Sequence, residues 1–203
     1  NRKYTYDSKF FTIPNVLNCY YAGLLASDGY IAQNNGVDSY TLGIRLNVRD
    51  ITVLKTFKKD IRFDGPIAIY GNVASLRITL YDDTRNDLEN IFHIHPNKTF
   101  DLLPPTLSLE NSLAYIIGYI DGDGCICYSN NLSLQIMGTN DVLAWIKKHV
   151  DDIVPPIRSS SVRKYMNENI YRYSIAGKRA YKFLSLLSNI DVPKLSRKWC
   201  KVS

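Results

Sequence analysis

The chain has 203 residues, enough for one large domain or two small ones, and its 45% hydrophobic and 22% charged residues are typical of a globular protein. No stretch approaches eighteen consecutive apolar residues, and the first eleven residues lack the apolar core of a signal peptide, so we expect no membrane span and no secretory leader. The net charge of +6 is compatible with a polyanionic partner, and the excess lies in the second half, with 13 basic against 8 acidic residues.

The four cysteines are Cys19, Cys125, Cys127 and Cys200. They do not form a zinc pattern, because Cys-x-Cys is too tight and no histidine pair accompanies it. Such cysteines suit a reducing compartment, so we expect an intracellular protein. Abundant Asn, Ile, Lys and Tyr are typical of an AT-rich genome, such as that of an organelle, a bacterium or a phage.

Two stretches of the chain share one layout: an apolar run, a glycine, and an Asp-Gly pair that leads into a strand-like segment. CYYAGLLASDGYIA contains Asp28, and AYIIGYIDGDGCICYS contains Asp123, 95 positions later. A single Asp-Gly would indicate only a turn. Two copies at almost half the chain length predict a tandem duplication.

The boundary between the two repeats is predicted in the segment Phe100–Ser112, where a proline pair interrupts the pattern. The first repeat then covers residues 1–105 and the second covers residues 106–203. Since this linker is short, we expect the repeats to pack on each other.

The first repeat begins with a predicted helix over Pro14–Ser27, with the proline in its first turn. Two hairpins follow, each with period-two alternation, and an amphipathic helix capped by Asp50 lies between them. A last helix is predicted over Asp82–Phe92. Apolar residues on one strand face are Leu42, Ile44, Leu46, Leu76, Ile78 and Leu80; polar or small residues on the other are Gly43, Arg45, Asn47, Arg49, Ser75, Arg77, Thr79 and Tyr81.

The second repeat has the same predicted order. Its first helix runs over Leu109–Gly122, with Ser108 or Asn111 as the cap, and Asp141 is the predicted cap of its middle helix. Its strands place Leu132, Leu134, Ile136, Tyr171, Tyr173 and Ile175 opposite Ser133, Gln135, Met137, Thr139, Arg172 and Ser174. Arg77 and Arg172 are predicted to occupy matching places in the two repeats.

The predicted fold class is therefore α+β, with tandem pseudo-twofold αββαββα repeats that form two saddle-shaped antiparallel sheets. Helices cover one face of each sheet, and the other face is polar. Solvent-exposed strands often have this composition, but its recurrence in all four hairpin segments favours a binding surface for double-stranded DNA in the major groove. The candidate DNA-binding residues are Asn34, Arg45, Asn47, Arg49, Arg77, Ser129, Gln135, Arg163 and Arg172.

Small residues four positions apart on each first helix, Gly23 with Ser27 and Gly118 with Gly122, predict close packing of the two helices. Asp28 and Asp123 would then lie together at helix carboxyl ends, where the helix dipole and mutual repulsion disfavour two charges. A divalent cation relieves both effects, because Mg²⁺ prefers carboxylate and carbonyl oxygens. The carbonyls of Ser27 and Gly122 are the predicted additional ligands.

The two motifs, Tyr21–Gly29 and Ile116–Gly124, resemble those of LAGLIDADG homing endonucleases, and the first departs from the pattern at Ala26. The resemblance implies a monomer, needing no protein partner, that cleaves both strands of a long asymmetric DNA site and leaves 3′ overhangs. It implies catalysis by Asp28 and Asp123 with Mg²⁺, for which Mn²⁺ can substitute, whereas Ca²⁺ supports binding without efficient cleavage. Asp121 would be a non-ligand acid.

The same resemblance implies one lysine after the last helix of each repeat, near the attacking water. Lys98 is the candidate in the first repeat, and in the second Lys198 is favoured over Lys194. The residues also leave other functions open: an intron maturase or a non-cleaving DNA-binding regulator on the same fold, and an intein-derived domain. Because nothing resembles protein-splicing termini, we expect a free-standing, intron-encoded enzyme.

Overall fold

The computed structural model describes residues 3–34, 39–156, 161–165 and 169–202. Each half of the chain builds a four-stranded antiparallel sheet with helices packed on one face. None of the helices in these ranges combines the length and the apolar character needed to cross a membrane.

The first half forms a sheet of strand order β1-β2-β4-β3. Its elements are α1 (Val16–Ser27), β1 (Gly29–Gln33), β2 (Tyr40–Asn47), α2 (Ile51–Asp60), β3 (Ile67–Tyr70), β4 (Val73–Thr79) and α3 (Asp82–Phe92).

The second half repeats this arrangement with strand order β5-β6-β8-β7, which confirms the predicted αββαββα repeat and the α+β class. Its elements are α4 (Leu109–Asp123), β5 (Gly124–Tyr128), β6 (Leu132–Gly138), α5 (Asn140–Ile153), β7 (Arg163–Tyr165), β8 (Ile170–Ala176) and α6 (Gly177–Ser188), followed by the short helix α7 (Ser196–Trp199). At the place of α7, the first half has a 3-10 turn, Lys98–Phe100.

The alternation predicted for the strands is present at most positions, but Ser75 and Thr139, which were predicted on the polar face, are buried, and Thr139 lies beyond β6 as the cap of α5. In β2, Leu42, Ile44 and Leu46 are buried, whereas Arg45 and Asn47 are exposed. The buried face packs against the helices of its own half, so the helices and the exposed polar residues lie on opposite faces of each sheet.

Helices α1 and α4 pack along each other and join the two halves. A Cβ atom on Gly23 would lie 2.0 Å from the carbonyl oxygen of Tyr115, and one on Gly118 would lie 1.9 Å from that of Tyr20. The helices therefore meet backbone to backbone, as the spacing of small residues predicts, and this contact brings their carboxyl ends together.

The helix caps differ in part from the predictions. Ser108 caps α4, since its side chain accepts a bond from the Asn111 amide. Pro14 is not inside α1, because Asn15 is the cap residue and exchanges side-chain bonds with Asn18.

The two predicted aspartate caps are wrong. Asp50 precedes α2 but its carboxylate bonds no helix amide; it accepts from Arg197 Nε at 2.8 Å instead. In the second half Thr139 caps α5, and Asp141 is the second residue of the helix.

The predicted match between Arg77 and Arg172 is also wrong. Arg77 pairs with Gly43, and Arg172 pairs with Met137. Gly29 and Gly124 begin equivalent strands, and they pair with Ile44 and Ile136, which are therefore equivalent too. Counting from these positions, the residue equivalent to Arg77 in the second repeat is Ser174. The residue equivalent to Arg172 in the first repeat is Ser75. Arg77 and Arg172 are thus displaced by two strand positions from each other's equivalent place. Both still lie on the polar face of their sheets, but in different rows of that face.

Candidate active site

Asp28 and Asp123 lie at the adjoining carboxyl ends of α1 and α4, where Asp28 is the cap residue and Asp123 is the last helical residue. Each residue as a whole is exposed to solvent, although the surrounding protein crowds its carboxyl group. A Cβ atom on Gly122 would lie 2.0 Å from Ser27 Oγ and 3.2 Å from the carboxyl carbon of Asp28. The absence of a side chain at Gly122 therefore leaves the space that the Ser27 side chain fills, with the Asp28 carboxylate beside it.

The pKa of each of these aspartates is raised. Loss of solvent around the carboxyl group is the main cause for Asp123, the neighbouring Asp28 adds repulsion, and together they raise the pKa of Asp123 to about 6. Loss of solvent also raises the pKa of Asp28, although nearby cations oppose it. The raised pKa values mean that negative charge is disfavoured at this site, and a bound cation would relieve that cost.

One lysine from each half reaches this place. Lys98 Nζ donates to the Gly29 carbonyl at 2.8 Å, and Lys198 Nζ donates to the equivalent Gly124 carbonyl at 2.7 Å. Lys198 also donates to the carbonyls of Ile120 and Gly122, at 2.9 and 3.1 Å. Both lysines are buried, at 6% and 7% exposure.

Burial lowers the pKa of Lys98 to about 8 and also lowers that of Lys198. Lys194 instead donates to the Ile190 carbonyl of its own segment and packs near Trp199. The geometry therefore brings Lys198, rather than Lys194, to the two aspartates.

The electrostatic pairing of acids and lysines crosses between the halves. Of the two lysines, Lys198 lowers the pKa of Asp28 more, and Lys98 lowers that of Asp123 more. A cavity of about 250 Å³ opens beside Lys98, Ser27 and Asp123. Each candidate reaction centre is thus composed of residues from both halves of the chain.

Asp121 has a structural position inside the second half. Its carboxylate is 1% exposed and accepts from Tyr20 OH at 2.9 Å, from the Leu195 amide at 3.0 Å and from Trp199 Nε1 at 2.7 Å. Leu195 and Trp199 flank Lys198, so Asp121 anchors the segment that carries the lysine. Burial raises the pKa of Asp121 to about 6 despite these bonds.

Three DNA-bound endonucleases share this architecture. The LAGLIDADG meganuclease I-AabMI, bound to uncleaved DNA, matches 93% of this chain and 90% of its own with a TM-score of 0.60 at 14% identity. The homing endonuclease I-SmaMI, bound to cleaved DNA, matches 92% and 88% with a TM-score of 0.59 at 12% identity. I-LtrWI, bound to target DNA, matches 96% and 87% with a TM-score of 0.54 at 14% identity.

The chain has the LAGLIDADG homing endonuclease fold. The resemblance of the two motifs is confirmed at this level, and the motif helices α1 and α4 form the centre of the molecule. I-SmaMI has also been solved with an uncleaved DNA target in the presence of calcium ions. No protein-family model and no curated protein matches the chain.

The donors at the carboxyl ends of α1 and α4 fit a hard divalent cation. Asp28 and Asp123 offer carboxylate oxygens, and the Gly122 carbonyl keeps one lone pair besides its bond to Lys198. The Ser27 hydroxyl points back to the carbonyls of Gly23 and Leu24, so only its backbone carbonyl is a candidate ligand. No group of three or more His, Cys, Asp or Glu side chains within the described ranges could hold a metal.

Such a donor set matches Mg²⁺ sites, which use one or two carboxylates and complete their coordination with water and substrate phosphates. An ion at the helix tips would also offset the raised pKa values of both aspartates. The site residues thus fit the cation that the motifs imply.

The predicted DNA-binding residues of the first repeat fall into two groups. Arg45 and Arg77 are exposed on the polar face of the sheet, in neighbouring rows. Arg49 is exposed in the 3-10 turn after β2, and Asn47 accepts a bond from its amide at 3.0 Å. Asn34 closes the β1–β2 connection, since its side chain bonds Ser39 and Thr41.

In the second repeat, Gln135 is exposed on β6, opposite Cys125 and Ser174. Arg172 and Arg163 form one row with Met137, and the Arg172 guanidinium lies 5.5 Å from the centre of the Tyr165 ring. Ser129 is exposed just after β5. The polar face thus carries cations and amides in both halves, in different arrangements.

Sequence reasoning missed two contributors to this region. The Tyr30 ring covers Gly43, where a Cβ atom would lie 2.2 Å from it, and the Arg45 guanidinium lies 5.6 Å from the ring centre. A glycine within a strand was the available signal for this aromatic neighbour. Arg197 binds the buried Asp50 and lowers the pKa of Asp28. No sequence pattern indicates this role, because Arg197 lies far from both aspartates in the sequence.

Proposed function

We propose that the protein is a site-specific DNA endonuclease that hydrolyses one phosphodiester on each strand of a double-stranded target. The observation that carries the proposal is the pair of aspartates at the joined helix tips, with one buried lysine beside each. The fold is shared with endonucleases solved on uncleaved and cleaved DNA. The polar faces of the two sheets supply the surface on which the duplex would lie.

Asp28 and Asp123 would hold Mg²⁺ together with backbone carbonyls, and the bound cation would make water a better nucleophile and stabilise the leaving oxygen. Lys98 and Lys198 would keep positive charge beside the scissile phosphates and orient water. Arg45, Arg77, Gln135 and Arg172 would contact base edges or phosphates. Single-chain action, 3′ overhangs, Mn²⁺ substitution and intron encoding belong to the same proposal.

The test is a selection of cleaved sites from a random or genomic DNA pool with the purified chain and Mg²⁺. We expect a long, asymmetric site, cut on both strands, and a cleavage rate that falls with rising salt because phosphate contacts release counterions. The matched control is Asp123→Asn, which should lose cleavage at least a hundredfold yet bind the selected site in Ca²⁺. Lys194→Met should cut normally.

A protein that binds one DNA site tightly but never cuts it, in Mg²⁺ or Mn²⁺, would show the non-cleaving regulator instead. Full cleavage by Asp123→Asn would remove this carboxylate from the reaction. Intron maturase function remains the second candidate, and binding of a structured intron RNA in preference to any DNA site would favour it.

A further inference from the structure

Two cysteines lie side by side on β5. Cys125 and Cys127 flank buried Ile126, both are exposed on the polar face, and their sulfur atoms are 3.2 Å apart. The other two thiols are elsewhere: Cys19 is buried in α1, and the exposed Cys200 lies toward the Arg197 carbonyl. The DNA-facing function proposed above gives this thiol pair no role.

We propose that Cys125 and Cys127 are a reversible oxidation site that forms an intrachain disulfide with a small disulfide oxidant such as oxidised glutathione. One cysteine, as thiolate, attacks the oxidant, forms a mixed disulfide and releases one thiol molecule. The second cysteine then displaces the other thiol. Two protein S–H bonds become one S–S bond, and the oxidant is reduced to two thiols.

The position of the pair makes this bond easy to reverse. Residues two apart on a strand have Cα atoms about 6.6 Å apart, near the upper end of the roughly 4.4–6.8 Å found in disulfides. Closing the bond would therefore pull this part of the strand in toward the most common separation of about 5.5–6 Å, and that contraction would strain it. Strained, exposed disulfides are reduced more readily than structural ones, so the site can open again in a reducing compartment.

The strand that carries the pair also holds part of the candidate active site. Asp123 precedes β5 directly, and Lys198 Nζ is anchored on the Gly124 carbonyl. Lys201 Nζ donates to the Ile126 carbonyl, between the two cysteines, at 2.8 Å. Closing the disulfide would draw positions 125 and 127 together. It would displace the carbonyls of Gly124 and Ile126, which anchor Lys198 and Lys201.

Only the second repeat carries the pair, since β1 has Tyr30 and Ala32 at the equivalent positions. The effect of oxidation should therefore fall mainly on one of the two reaction centres. This consequence rests on the proposed endonuclease function, whereas disulfide formation itself does not.

The chemical test treats the full chain with oxidised glutathione and counts free thiols after denaturation. The wild type should fall from four thiols to two, with no glutathione mass retained. Cys200→Ser should fall from three to one, and Cys125→Ser and Cys127→Ser should form no intrachain bond. Four remaining thiols in the wild type, or a bond mapped to Cys200, would overturn the proposal.

The functional test follows nicking of each strand of the selected target by the reduced and the oxidised protein. We expect at least a fivefold slower cut on one strand after oxidation, reversal by dithiothreitol, and no such change in Cys125→Ser. If the disulfide forms and both DNA strands are still cut at the original rate, the proposed effect of oxidation on cleavage is overturned. A reduced protein that forms the disulfide but never cuts DNA would remove the endonuclease function and leave the thiol site standing.

Discussion

Two buried tyrosines at equivalent positions of the motif helices have different surroundings. Tyr20 OH donates to the buried Asp121 carboxylate at 2.9 Å, whereas Tyr115 OH has no hydrogen-bond partner among the described residues. The difference arises because Ala26 stands where the second motif has Asp121. The second repeat therefore retains a buried hydroxyl, that of Tyr115, for which the first motif supplies no acceptor.

Tyr20→Phe should destabilise the protein by about 2 kcal/mol, because it removes a bond to a charged, buried acceptor. Tyr115→Phe should change the free energy of unfolding by less than about 0.5 kcal/mol or stabilise the fold, because the lost hydroxyl is unpaired. Urea unfolding of both variants measures the difference. Equal losses would show that Tyr115 has a partner in solution.

Lys198 satisfies the carbonyls at the end of α4 and neutralises the nearby acids. We expect Lys198→Met to lower the free energy of unfolding by about 3 kcal/mol without metal, since bonds from a charged donor are each worth roughly 1.5–3 kcal/mol and are not additive. Lys98→Met, which loses one carbonyl bond, should cost about 1–2 kcal/mol. Lys194→Met is the control, with a loss below about 1 kcal/mol. A Lys198 loss no larger than the control would contradict this anchoring role.

At the scale of elements, the contact between α1 and α4 fixes the distance between the two aspartates. Gly118→Ala places a methyl group 1.9 Å from the Tyr20 carbonyl oxygen, and backbone on both sides cannot move independently. We expect a loss of about 3 kcal/mol in unfolding free energy, at the upper end for overpacking. The measurement is thermal or urea unfolding, with metal binding followed in parallel.

The control for this variant is Leu109→Ala, at the first position of α4, where the side chain is 60% exposed. It should change stability by less than about 0.5 kcal/mol. If Gly118→Ala is as stable as this control, the helices do not meet at the backbone in solution.

The elements show what sequence can and cannot supply. Period-two alternation and small-residue spacing predict the strands and the α1–α4 contact, because they depend on neighbours in sequence. The register of Arg77 and Arg172 was missed, since the β2–β4 and β6–β8 connections differ in length and shift the pairing. The role of Asp50 was missed because its partner, Arg197, lies 147 positions away.

The residues of the candidate site follow the same rule. Asp28 and Asp123 were predictable from the duplicated Asp-Gly, and Lys98 and Lys198 from the resemblance. The crossed pairing of each acid with the lysine of the other half was not, because it depends on how α1 and α4 cross. The anchoring role of Asp121 also requires the position of α7, which has no strong helical pattern.

At the scale of the whole molecule, the joined helix tips couple proton binding, metal binding and stability. Without metal, the folded state holds the Asp123 proton more tightly than the unfolded chain does, because the pKa of Asp123 is about 6 in the folded state against 3.8 for an ordinary aspartate. The free energy of unfolding should therefore fall as the pH rises from about 4 to about 6, by an amount set by this pKa difference.

Magnesium should reverse this loss, because the cation binds the deprotonated carboxylate and competes with the proton. At pH 5, one unit below the pKa, apparent affinity should be about tenfold weaker than at pH 7.5, equivalent to about 1.4 kcal/mol. We therefore expect Mg²⁺ to raise the melting temperature of the DNA-free protein more at pH 7.5 than at pH 5. Asp123→Asn should lose most of this pH-dependent difference, and an equal Mg²⁺ effect at both pH values in the wild type would place the cation away from Asp123.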